Sequence, residues 1–143
     1  MNHVMVVFIG TQTCASICCM DEQGMPYCFS CFYIYNAEKN LLYFKSNTDT
    51  KHIGLLLKNP VVAGTILPDK LNKLTIQGIQ FSGHLLPVMD DEATDASKHY
   101  HRRFPIALAL PGKVWTLQLN QLKMTDSRKI FGKKIKWERE GKC

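Results

Sequence analysis

Residues 41–60 read LLYFKSNTDTKHIGLLLKNP, and the order of chemical types in this stretch frames the rest of the chain. Leu41 to Phe44 form an apolar, partly aromatic run that suits a strand. Asn47, Thr48, Asp49 and Thr50 are helix-capping types, which places a cap at Thr48 or Asp49 and a helix beginning near Thr50. Ile53, Leu56 and Leu57 recur at i, i+3 and i+4 and predict one buried helix face. Lys58, Asn59 and Pro60 then end the helix, a cation near its C-terminus followed by a residue that cannot continue it. A helix N-terminus exposes unpaired N–H groups and a partial positive charge, so it attracts anions. The hydroxyls of Ser46, Thr48 and Thr50 add donors, and Lys51 and His52 add charge. The stretch therefore reads as a phosphate-binding corner with Ser46 and Lys51 as its principal side-chain contacts. A plain capped turn uses the same residue types, and Asp49 opposes an anion unless its carboxylate turns away.

The bulk properties fit a small domain. With 143 residues, 45% hydrophobic and 21% charged, the chain has ordinary globular composition and length enough for one core. No apolar run approaches the ~20 residues that span a bilayer. The apolar run Val4–Ile9 is too short for a secretory leader and lacks a cationic flank. The N-terminus is expected to form a short helix packed on the body of the fold, in a cytoplasmic protein. The net charge of +6 is concentrated between Lys123 and Lys142. That charge suits anionic ligands or nucleic acid, but no RNP, KH or zinc-finger pattern accompanies it, and a solvated basic tail is the simpler reading.

Cys14, Cys18, Cys19, Cys28, Cys31 and Cys143 are the six cysteines, and Cys28 and Cys31 form a C-x-x-C. The flanking MPYCFSCFYIY is strand-like, and residues three apart on a strand point to opposite faces. Adjacent Cys18 and Cys19 diverge for the same reason. No second Cys/His pair stands at ligand spacing, so no metal site is expected. The cysteines read as small buried hydrophobes in a reducing compartment.

Along the chain, residues 13–45 alternate and turn as a three-stranded meander, with turns at 21–24 and 36–40. Strands are predicted over 61–67 and 74–86, the latter relieved by Gly78 and Gly83. Residues 90–103 run from acidic to basic and predict a surface helix. Short strands are expected at 114–119, 121–125 and 135–138. At least six strands with a few short helices point to a mainly β, closed or nearly closed barrel.

This order of parts resembles the FMN-binding split barrels related to pyridoxamine 5'-phosphate oxidase. The residues that carry the likeness are a strand with G-x-P at Gly24–Pro26, a hairpin to a strand ending at Ser46, Lys51 in the next helix and Asn59-Pro60. A valine-containing strand and a glycine-containing long strand follow. Within that superfamily, YHRRFP, then VW, then FGKKIKW is similar to the small bacterial branch of YhbP-like proteins. The resemblance covers nearly the whole chain as one domain and implies a six- to seven-stranded split barrel.

Carried over by position, the resemblance implies that Ser46, Asn47, Lys51 and His52 hold the flavin phosphate. It lays the isoalloxazine ring along Phe29, Ser30, Cys31 and Phe32, and gives Gln80 on the long strand a contact to phosphate or ring. It also implies a homodimer with FMN at the interface, where Lys133 of one protomer reaches the other's cofactor. Tyr100 and Arg103 fall where the oxidase binds its phosphorylated substrate. The oxidase's serine–glutamine pair after its substrate arginine is missing here. Its C-terminal tryptophan falls at Thr125, and its terminal arginine–histidine pair is replaced by FGKK. True pyridoxamine-phosphate oxidase activity is therefore not expected.

No acid–base or nucleophile constellation stands out, which suits a flavoprotein whose ring carries the redox chemistry. The leading expectation is an FMN-dependent oxidoreductase with a small-molecule redox substrate. Two alternatives remain open. Some split-barrel relatives use haem, which here would need His84, His99 or His101 as axial ligand. A non-enzymatic basic barrel that binds nucleic acid would show steep salt dependence.

Overall fold

The computed structural model describes residues 1–128 and 133–141. Helix α1 (His3–Thr11) is capped by Asn2, whose side chain accepts from the Val4 N–H. It buries Met5, Phe8 and Ile9 in the main core, as the sequence predicts. The meander follows as β1 (Cys14–Met20), β2 (Pro26–Asn36) and β3 (Leu41–Ser46). Then come α2 (Lys51–Lys58), β4 (Val61–Ile66) and β5 (Gln77–Leu85), the last shorter at its start than expected. Helix α3 (Ala96–Arg103) and a 3-10 turn (Pro105–Ala109) lead into β6 (Lys113–Asp126) and β7 (Lys133–Glu138).

The sheet order is β3-β2-β1-β4-β5-β6-β7, and an additional β3–β6 pairing closes the first six strands into a barrel. Strand β6 makes this possible because it is one 14-residue strand, not the two short ones expected. Its first half, Lys113–Gln118, pairs with β3, and its second half, Gln121–Asp126, pairs with β7. The barrel thus splits at Leu119–Asn120, where one side of β6 changes partner. A register shift against β5 between Ser82 and Gly83 accommodates the change. A Cβ at Gly83 would sit 2.2 Å from the Gln118 carbonyl oxygen, so this crossing requires glycine.

Side chains alternate as a half-buried sheet demands. Ala15, Ile17 and Cys19 of β1, Leu42 and Phe44 of β3, and Leu117, Leu119 and Leu122 of β6 fill the barrel. A second cluster lies outside β3, where Leu41 and Tyr43 meet Leu86, Ala96, Tyr100 and Ala107. Arg139 ties the split together, donating through Nε to the Leu119 carbonyl at 2.8 Å and through Nη2 to the carbonyls of Lys39 and Asn40. Among the described residues no helix is long and apolar enough to cross a membrane.

Three expectations are corrected here. Helix α2 buries Ile53, Leu55 and Leu56, while Leu57 is 60% exposed. Thr50, not Thr48 or Asp49, caps that helix, which starts at Lys51. Cys19 is buried, but Cys14 and Cys28 are exposed, so the cysteines are not uniformly core residues.

Candidate functional site

The corner where β3 meets α2 is built from both ends. Phe44 points into the barrel, so Ser46, two residues on, shares its side. The Ser46 carbonyl is held by the Trp115 indole N–H at 3.0 Å, which pins the strand end to β6. Gly112, at φ +122°, packs against the Ser46 and Asn47 backbone, where a Cβ would come within 3.2 Å of the Ser46 carbonyl carbon. Its positive φ and this close approach both favour glycine.

His52 completes the corner. Its Nε2 lies 2.7 Å from Ser46 Oγ and 3.3 Å from Thr50 Oγ1. The Thr50 hydroxyl spends its single proton on the Asn47 carbonyl at 2.9 Å. The Thr50–His52 contact is therefore a bond only if His52 Nε2 carries the hydrogen. With the hydrogen on Nδ1 instead, Ser46 Oγ donates to Nε2, so the direction of the Ser46–His52 bond follows the tautomer. The imidazole stacks on Phe29 at 4.0 Å between centroids and 12° between planes. Burial lowers its pKa below the ordinary histidine value, which keeps the ring neutral near pH 7.

The expected partnership of Ser46 with Lys51 is not what the structure shows. Lys51 Nζ lies 4.6 Å from the centre of the Tyr27 ring. It lines a shallow cleft of about 340 Å³ with Asp21, Glu22, Gln23, Gly54, Leu55 and Lys58, and Ser46 does not line that cleft. A cation missed in the sequence, Lys113, stands directly across from Ser46 in the β3–β6 register, with its Nζ over Trp115. The signal was present in Pro111-Gly112-Lys113, a turn delivering a cation to a strand start. Asn47 is exposed at the rim, and α2 has no acidic residue in its first turn.

The remaining expected residues divide between two faces. Phe29 and Cys31 turn toward the core, whereas Ser30 and Phe32 face outward, Phe32 being 64% exposed. Gln80 also faces outward, on a row running Ser30, Ser16, Thr65, Gln80, Lys123 and Lys136 across six strands. Three strand spacings separate Ser30 from Gln80, on the order of 14 Å. Gln80 lines a groove of about 540 Å³ with Lys123, Lys136 and Trp137, away from the Ser46 corner. Lys133 opens β7, but its side chain lies outside the described residues.

Tyr100, expected as a substrate contact, is instead 4% exposed and packs in the second cluster, so its ring serves packing. Arg103 is exposed in the last turn of α3. Of the histidines considered as metal-ion ligands for haem, His101 has both ring nitrogens engaged. Lys45 Nζ lies 3.0 Å from Nε2, and the Ser97 carbonyl 2.9 Å from Nδ1. His99 stacks on Tyr43, and His84 Nδ1 meets Asn120 Nδ2 at 3.0 Å.

No family model matches the chain. Among curated proteins, a UPF0306 protein of Photorhabdus laumondii is 39% identical over 113 residues, 79% of each chain. The UPF0306 protein YhbP of Escherichia coli is 33% identical over 121 residues, 85% of this chain and 86% of that one. Among solved structures, a haem-binding protein from Mycobacterium smegmatis superposes with TM-score 0.75 at 12% identity. It covers 93% of this chain, and the chain spans 55% of that protein's length. A pyridoxamine 5'-phosphate oxidase-related, FMN-binding protein from Nostoc punctiforme gives TM-score 0.66 at 11% identity, covering 90% and 81%. An FAD-binding protein from Mesorhizobium loti gives 0.67 at 14%, covering 89% and 96%. At these identities the structures establish the shared fold.

Proposed function

The chain belongs to the UPF0306 (YhbP-like) family, built on a split barrel, and from that premise we propose that it is an FMN-binding flavoprotein serving an oxidoreductase reaction. The observation that carries the reading is the Ser46–His52 pair, 2.7 Å apart at the start of α2, which sets a hydroxyl beside a helix N-terminus. Lys113 stands across from Ser46 in the β3–β6 register and Lys51 opens α2 outside the corner, over Tyr27, and both supply charge without being buried. These groups fit a phosphate: N–H and O–H donors at its oxygens, cations at its rim, and a neutral imidazole holding Ser46 in place. The ring would lie along β2 from Phe29 to Phe32. Bound there, a flavin supplies hydride or single-electron transfer to a small redox substrate. The chain's own part is to hold the phosphate and present the backbone of β2.

A second copy belongs to this reading. Gln80 and the basic groove of β6 and β7 stand far from the Ser46 corner within one chain. The residues that the resemblance groups around one flavin can then meet only across two protomers, with the Lys133 segment of one reaching the site of the other. A sedimentation mass of twice the 16.3 kDa chain is expected, and a monomer at assay concentrations would remove the shared site.

The haem reading is favoured by the likeness to a haem-binding structure. Against it, His101 is doubly engaged and His99 is stacked, leaving His84 as the axial candidate. The absorption spectrum of freshly purified protein, with mass analysis of what denaturation releases, separates the two. Flavin bands and released FMN support the proposal. A Soret band that disappears in His84→Ala supports haem, and protein that takes up neither cofactor on titration refutes both.

A further inference from the structure

We propose that Cys18 and Cys28 form a reversible cross-strand dithiol–disulfide pair on the outer face of the barrel, with Cys28 as the attacking thiol and Cys18 as the resolving one. The two residues are direct partners in the β1–β2 register. Which kind of pair they make follows from the ladder. The Tyr33 N–H donates to the Thr13 carbonyl, and the Asp21 N–H donates to the Met25 carbonyl, so the odd-numbered positions of β1 form the hydrogen-bonded pairs. Cys18 and Cys28 fall between them, at a non-hydrogen-bonded pair, where facing Cα atoms lie only about 4.5 Å apart and the side chains are closest. That separation is inside the range of about 4.4–6.8 Å that disulfides span.

The side chains also share a face. Cys28 is exposed and Cys18 half-buried, while their chain neighbours Cys19 and Phe29 turn into the barrel. One rung along the same face, Ser16 Oγ and Ser30 Oγ lie 3.4 Å apart, so facing side chains on this row do touch. Among the described residues the other cysteines are excluded by geometry. Cys14 is exposed opposite Phe32 on the outer face, whereas Cys31 points toward the core. Cys19 lies inside, with its thiol donating to the Tyr27 carbonyl at 3.5 Å. The Cys18 thiol is pushed up by burial and then by the adjacent Cys28 thiol, which fits its role as the second sulfur to react.

The oxidant is a small-molecule disulfide such as oxidised glutathione. The Cys28 thiolate attacks one glutathione sulfur, forming a mixed disulfide and releasing the first glutathione thiolate. The Cys18 thiolate then attacks the Cys28 sulfur and releases the second. Two protein thiols are oxidised, one glutathione disulfide is reduced to two thiols, and both thiol protons pass to the released glutathiones. Tyr27 and Phe29, on either side of Cys28, carry Lys51 and His52 respectively, so the bond would lock the rung beneath the candidate site.

The test uses the full-length native protein incubated with excess oxidised glutathione, alkylated, denatured and cut after glutamate. Glu22 is the only glutamate between the two cysteines, so the fragments carrying Cys18 and Cys28 stay joined only through a disulfide. The expected result is a linked Cys18–Cys28 species that dithiothreitol dissolves. It should persist in Cys14→Ser and Cys31→Ser and vanish in Cys18→Ser and Cys28→Ser. Cys18→Ser should trap glutathione on Cys28, with Cys28→Ser trapping far less on Cys18. Stable glutathionylation of Cys28 in the parent without a link would overturn the proposal, as would a link through Cys14 or Cys31, or no modification at all.

Discussion

Replacing Ser46 by alanine tests the phosphate corner at the one atom whose role is most sharply defined. The change removes the hydroxyl that lies 2.7 Å from His52 Nε2. For the fold, the loss is one partly buried hydrogen bond, about 1 kcal/mol, because His52 keeps its contact with Thr50. For a bound phosphate, the loss is a hydrogen bond to a charged group, worth about 1.5–3 kcal/mol, and the half-exposed setting argues for the lower half of that range. About 1.5–2 kcal/mol corresponds to roughly 10- to 30-fold weaker FMN binding. Riboflavin lacks the phosphate, so its affinity should stay within about twofold of the parent's on the same argument. Quenching of flavin fluorescence measures both ligands, and a urea titration shows that the variant is folded. Equal weakening of FMN and riboflavin, or no weakening of FMN, would refute the assignment of Ser46 to the phosphate.

Helix α2 offers a paired test of its buried face: Leu56→Ala should destabilise by about 2–5 kcal/mol, and Leu57→Ala by no more than about 0.5 kcal/mol, in denaturant titrations. Similar losses from both would mean that the helix is rotated. The pH dependence of stability follows from His52, whose folded pKa lies below its unfolded value because burial disfavours the cation. Below about pH 6.5 the unfolded chain binds a proton that the folded one resists, so stability falls as pH drops through that value. The melting temperature of the parent should therefore decline more steeply between pH 7 and pH 5 than that of His52→Gln; parallel curves would contradict it.

Much of the barrel is legible because strand alternation and turn residues act locally. The meander, the order of later strands and the N-terminal helix all follow from such signals. What escaped depends on partners distant in sequence. Asn120 reads as a break in a strand, yet β6 runs through it, because β3 and β7 pair with its two halves and Gly83 lets β5 shift register alongside. The i, i+3, i+4 spacing from Ile53 selects Leu56 and Leu57, yet the surface of the barrel buries Leu55 and Leu56 instead. Tyr100 sits in a helix of polar residues, and nothing local reveals the apolar pocket formed outside β3.

The corner itself shows how a small angular fact reorders the chemistry. Successive residues on an α-helix point about 100° apart, so Lys51 and His52 cannot both face Ser46. Their residue types give no preference, since each is a credible phosphate contact. Burial decides: the position facing Ser46 is partly enclosed and stacked on Phe29, where a neutral aromatic ring is stable and an ammonium would have to shed water. His52 therefore takes the inner position, and Lys51 lies outside over Tyr27. Attraction for an anion would then come from N–H and O–H donors at the helix start, with Lys51 and Lys113 acting from the rim. Removing either rim charge should lower affinity mainly at low salt, where exposed charges are least screened. Removing the Ser46 hydroxyl should lower it at every salt concentration. That difference in salt dependence separates a donor-built corner from a simple basic patch.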